Sequence, residues 1–130
     1  MNMQSLCDQC SNVLHGQGSV QNGVCSITIP RHIAATIQGR WAKGAIHAGV
    51  TFESFDEQGF ALNLGEFVIL EEELHSFTQA LLQQGIVIGA IHNHWIFTSP
   101  TLLYVHFQSI DLPIQFAQKT ANAMQTLRSL

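Results

Sequence analysis

Two apolar runs, IVIGAIHNH at residues 86–94 and TLLYVHFQSI at residues 101–110, constrain this chain more than any other feature. They are separated by WIFTSP and read as two strands joined into an antiparallel hairpin. They also place histidines where Val, Ile or Leu would pack more easily: His92 and His94 in the first run, His106 in the second. Side chains two apart on a strand share a face, so His92 and His94 project together and Asn93 goes to the other side. If the loop centres near residues 97–99, His92 lies roughly opposite positions 104–106, and His106 joins the first two on one face.

The rest of the chain supplies a sheet and helices for that hairpin. MQSLCDQCSNVLHG reads as a short helix with Leu6, Cys10, Val13 and Leu14 on one side, and QGSVQNGV as turn-rich. VCSITIPR alternates as a strand ending at Pro30, HIAATIQGR gives a second short strand closed by Gly39, and AIHAGVTFESF alternates again. DEQG turns the chain into FALNLGEFVIL, where Gly65 predicts a bulge or a break. EEELHSFTQALLQQG changes to helical period, with Leu70, Leu74, Phe77 and Leu81 as its stripe and Gly85 as its stop. Asp111 is placed to cap a last helix with Pro113 in its first turn, running to about Arg128 with Phe116, Ala117, Thr120, Met124 and Leu127 on one side. This order predicts a single α+β domain over residues 1–130, a mostly antiparallel sheet with helices packed on one face.

Composition removes several function classes. The formal charge is −4 with only five Lys and Arg, too few for the basic stripe that nucleic-acid binding requires. No apolar run approaches the roughly 20 residues that span a bilayer, which argues against a membrane partner. MNMQSLCDQCSNVLHGQG has neither a basic start nor an apolar core, so it does not read as a signal peptide, and a cytoplasmic location is expected. Reduced thiols are then expected for Cys7, Cys10 and Cys25. The Cys7/Cys10 pair reads as a buried helix face, with metal or redox use as the lesser alternative.

Three imidazoles buried on one sheet face without a common partner would leave three costly polar groups. A metal ion removes that cost: three neutral histidines form a facial ligand set of the kind zinc accepts, and iron or manganese also suit such ligands. A hydrogen-bonded polar cluster is the alternative. A fourth ligand can come from the acidic helix start, where Glu72 points away from the apolar stripe and Glu71 and Glu73 flank it. Each of these acids also suits a helix N-terminus without any further role. His75 falls on the outer side of its helix, nothing distinctive surrounds His15, and His32 and His47 lie in strand-like segments that could approach the site but that the sequence does not position. No serine-nucleophile or phosphate-loop motif is present.

ITIPR, GEFVILEEEL, LLQQGIVIGAIHNHWIFTSPTLLYVHF and DLPIQFAQKTANAM, in that order, resemble the family of unknown function that includes the mycobacterial lipoproteins LppY and LpqO. The similarity runs over roughly residues 14–127, and its most specific part is the segment ending in His92-Asn93-His94 followed by Pro100 and the Tyr104–Phe107 pattern. The resemblance selects Glu73 among the acids, together with Arg31, His92, Asn93, His94 and His106. Trp95 and Phe97 depart from its pattern.

These residues predict a metal-binding protein, with His92, His94, His106 and Glu73 around a divalent transition metal, most directly zinc. A metal-dependent hydrolase follows if the ion activates water, with Glu73 completing its shell or acting as general base. The alternative is a non-catalytic module that binds a metal or small ligand through the same residues. The ligand would be a small molecule or a peptide. Trp95, Ile96 and Phe97 in the hairpin loop read equally as a pocket lip, a homodimer contact or a folded-over loop core.

Overall fold

The computed structural model describes residues 2–128. Helix α1 (Met3–Leu14) opens the chain, capped by the Asn2 side chain, which accepts from the Ser5 N–H at 3.1 Å. His15 closes it in the left-handed conformation. Strands β1 (Gln17–Gln21) and β2 (Val24–Thr28) follow as a hairpin on Asn22-Gly23, both at positive φ. The segment read as turn-rich therefore contains a strand, because Asn-Gly concentrates the whole turn into two residues.

Next come β3 (Ala35–Ile37), β4 (Arg40–Ala42), β5 (Ala48–Glu53) and β6 (Ala61–Leu70). A 3-10 turn at Glu71–Glu73 leads into α2 (Leu74–Gln83), and Gly85 lies just beyond it at φ 80°. Strand β7 (Val87–His92), short β8 (Thr98–Ser99) and β9 (Leu102–Asp111) precede α3 (Pro113–Met124). The main sheet has the order β1-β2-β5-β6-β9-β7, and every neighbouring pair is antiparallel. This is the expected α+β architecture.

Alternation along β6 sends Ala61, Asn63, Phe67 and Ile69 into the helix-covered core. Phe67, Phe77, Phe107 and Phe116 meet there, with ring centroids 5.3 Å apart for Phe67–Phe77 and 5.8 Å for Phe107–Phe116. Gly65 neither bulges nor breaks the strand, and its pairing to Val50 and Phe107 is regular. A side chain at position 65 would run into the Phe107 ring, so glycine is there to make room. The β-bulge of this sheet lies instead in β7, between Ile88 and Ala90.

The opposite sheet face is covered at one end only. A second sheet, β4-β3-β8, packs Ala35 with Val68, Leu102 and Tyr104 in a small separate core. The hairpin loop thus contributes a strand of its own. Leu70, expected in the α2 stripe, ends β6 and packs beside this second core, while Phe77 and Leu81 are buried in the first.

Three further expectations are corrected. Leu112, not Asp111, caps α3; the Asp111 carboxylate accepts from the Leu112 N–H and from Lys119 Nζ. The last helix ends at Met124, short of Arg128. Cys7 is joined to Cys25 by a disulfide, where reduced thiols were expected. The turn-rich reading of residues 17–24 concealed the hairpin that brings Cys25 under α1. Cys10 stays a thiol, and burial pushes its pKa up to about 11. Among the described residues, no helix is long and apolar enough to cross a membrane.

Candidate metal centre

The uncovered part of the second face carries the chemistry. Sheet register sets it out as two rows. Gly49 pairs with Glu66, Glu66 with His106, and His106 with Ala90. In the next row Val68 pairs with Tyr104 and Tyr104 with His92, while the Val68 N–H donates to the His47 carbonyl. His92 and His106 are therefore diagonal neighbours on one face, within reach for long side chains. Small residues, Gly49 and Ala90, flank the Glu66–His106 pair on both sides.

His94 joins them from outside the strand. Strand β7 ends at His92, and residues 93–97 are irregular. The His92 and His94 rings nevertheless lie 4.6 Å apart, and His92 and His106 4.9 Å. One nitrogen from each of His92, His94 and His106 falls within 4.8 Å of the others, close enough to hold a metal ion. Tyr104 supports the group: its ring meets His94 edge-on at 4.4 Å and stacks with His92 at 6.5 Å. Its hydroxyl donates to the Ala45 carbonyl, tying β9 to the loop before β5. Burial raises the Tyr104 pKa. Asn93 points elsewhere, and its amide donates to the Trp95 carbonyl at 3.4 Å.

The polar balance of the cluster is incomplete without a further partner. His106 Nε2 is buried and has no hydrogen bond, although Glu66 Oε2 lies 3.3 Å away. That contact lacks hydrogen-bond alignment, so it leaves the nitrogen unsatisfied. Glu66 Oε2 also lies 3.6 Å from His94 Nε2, and Oε1 lies 3.7 Å from His47 Nε2. One carboxylate thus sits among three imidazoles.

Glu73 is elsewhere. Its Oε1 accepts from Arg31 Nη2 and from the Leu70 N–H, both at 2.8 Å, and its Oε2 accepts from the Arg128 N–H at 2.7 Å. Both oxygens are engaged, the residue is 2 % exposed, and it does not belong to the histidine group. Burial alone would raise its pKa, but the Arg128 and Leu70 amides and the Arg31 charge outweigh it and hold the carboxyl below its ordinary value. The expectation that Glu73 completes the metal shell is corrected for that reason. Helical phase leaves Glu71 and Glu73 both open and the family resemblance selects Glu73, but the Glu73 carboxylate faces Arg31.

Glu66 is the residue that sequence reasoning missed, and His47, which the sequence does not position, lies beside it. Glu66 is the single charge in FALNLGEFVIL, on the same alternation as Leu62, Leu64 and Val68. A charge on a strand otherwise apolar on that face was a usable signal, but placing it needed the β6–β9 pairing.

An antiparallel sheet with helices on one face and a three-histidine cluster on the other defines an α+β domain with a candidate metal centre. The chain belongs to the family described as Domain of Unknown Function (DUF1259), which matches residues 8–126. No curated protein and no solved structure matches it.

Proposed function

We propose that this protein binds one divalent transition metal, zinc by preference, through His92, His94 and His106, with Glu66 as the adjacent carboxylate. The observation that carries this reading is the buried, unbonded His106 Nε2 within a group of three converging imidazoles. A buried imidazole nitrogen without a partner is costly, and a shared cation relieves that cost for all three at once. A carboxylate within 3.6 Å of two of those nitrogens supplies negative charge for the same ion.

The site is partly open, with His94, His106 and Glu66 side chains each about a third or more exposed. Openness supports a catalytic rather than a closed structural centre, because catalysis needs a position for water or substrate. A bound metal would lower the pKa of its water toward neutrality, and Glu66 is placed to accept the proton in a hydrolysis. The second reading, a non-catalytic binding module, follows if Glu66 closes a four-ligand shell. The Cys7–Cys25 disulfide supports an oxidising compartment over the cytoplasmic location that the sequence suggested. Kinship with LppY and LpqO within the family is part of the same proposal.

Elemental analysis of tag-free protein tests the reading. The expected result is about one metal per chain, lost on His106→Ala substitution with the fold retained. Protein that stays far below one equivalent, even after zinc, iron, manganese or copper is added, would overturn it.

A further inference from the structure

Beside the histidine cluster the open sheet face forms a groove of about 360 Å³, running from His106 and Glu66 across β5 to β2. Its size is at the low end for small-molecule pockets. Ser26 and Thr51 are cross-strand partners on its floor, and Thr28 lies in the same row as Gly49 and Glu66. Gly49 leaves the middle of that row without a side chain. Leu64 adds an exposed apolar edge, and His47 forms the wall next to Glu66.

The charge of the groove limits what it can take. The chain has five cationic side chains, Arg31, Arg40, Lys43, Lys119 and Arg128, and none of them lines it. Arg31 is buried against Glu73, Lys119 pairs with Asp111, and Arg128 lies beside Glu72. Arg40 belongs to β4, and Lys43 follows it. An anionic ligand would therefore meet the Glu66 carboxylate with no lysine or arginine to offset it. A purely apolar ligand would cover Ser26, Thr28 and Thr51 and strip water from their hydroxyls. Groups that both donate and accept match those hydroxyls best.

We infer that the groove binds a neutral, hydroxyl-bearing small molecule of the carbohydrate class, its hydroxyls on Ser26, Thr28 and Thr51 and one oxygen directed at the metal. The inference rests on the metal reading above only for that last contact. Leu64 faces the C–H surface of such a ligand, and the metal would sit at the histidine end of the groove.

The test is heteronuclear NMR on zinc-loaded protein titrated with maltose, xylobiose and glucose 6-phosphate, with zinc content measured on the same samples. One of the neutral disaccharides is expected to shift the Ser26, Gly49 and Thr51 amides saturably, and glucose 6-phosphate to bind more weakly. The Ser26→Ala/Thr51→Val variant keeps its zinc and its fold and loses about tenfold in affinity, as the removal of direct hydrogen bonds dictates. No shift with either disaccharide, tighter binding of the phosphate ester, or unchanged binding by the variant would each overturn the inference. Zinc uptake without shifts removes the ligand class alone. Shifts without zinc uptake remove the metal reading and leave the groove assignment standing.

Discussion

Arg31 and Glu73, 42 residues apart, form a fully buried ion pair with Nη2 and Oε1 2.8 Å apart. The pair joins the segment after β2 to the turn between β6 and α2. The second Glu73 oxygen, holding the Arg128 N–H, extends the tie to the residues after α3. Among the described residues, Arg31 Nε and Nη1 have no hydrogen-bond partner, so Glu73 takes the one hydrogen bond the guanidinium makes.

Glu73→Gln is therefore expected to lower stability without changing metal content. Removing the carboxylate leaves a buried guanidinium uncompensated, which costs about 3–5 kcal/mol. The pH dependence follows from the direction of the shift. The folded carboxyl titrates below its ordinary value of 4.5, so its contribution is complete above that pH and is lost as pH falls through the lower, folded value. Denaturant unfolding at a series of pH values checks this: the acid-side loss should shrink in Glu73→Gln. A variant as stable as the parent, or one that loses its zinc, would contradict the assignment.

Glu66→Gln should behave in the opposite way. Glu66 is part-exposed and its neighbours are imidazoles, so stability changes little. Metal affinity should fall about 10–100-fold, the effect typical of losing a carboxylate beside histidine ligands. A zinc-chelator competition on the parent, Glu66→Gln and Glu73→Gln proteins separates the two acids in one measurement.

These two acids mark the limit of what the sequence made legible. The hairpin, the helical stripe over Phe77 and Leu81 and the approach of His92 to His106 follow from local period and short-range register. His94, by contrast, reaches them from irregular chain beyond the end of β7. Local spacing sets Glu72 aside and leaves Glu71 and Glu73 open; the family resemblance selects Glu73, and Arg31 with it. The pairing of Arg31 with Glu73 and the carboxylate beside the histidines were hidden because both depend on long-range contacts. Gly49, Glu66 and His106 reach one row only through the order β5-β6-β9, which no short motif specifies. The same applies to Gly65, whose reason is the Phe107 ring across the sheet.

Reduction of the Cys7–Cys25 bridge should destabilise the domain. The bridge closes a loop of sequence separation 18 and ties α1 to β2, so loop-closure entropy assigns it about 3 kcal/mol. Cys7→Ser/Cys25→Ser protein should unfold at lower denaturant than the parent and become insensitive to dithiothreitol. Cys10 should stay unreactive toward thiol reagents in the folded state, because its thiol is buried and titrates near 11. Rapid labelling of a single thiol in native, unreduced protein would contradict this arrangement.

Tyr104 offers the most direct test of how the fold holds the cluster. Its ring lies under His94 and beside His92, and its hydroxyl ties the Ala45 carbonyl. Tyr104→Phe keeps the ring and removes the tie, so it should cost about 1 kcal/mol of stability and leave zinc affinity near that of the parent. Tyr104→Leu removes the flat surface that fixes both imidazoles. The histidines then lose preorganisation, and zinc affinity should fall by about tenfold or more, as for other supporting residues around a metal. Thermal unfolding read beside zinc competition distinguishes the two effects. Equal zinc affinity in both variants would mean that the histidines are set by their strands alone, and that Tyr104 serves only the second core.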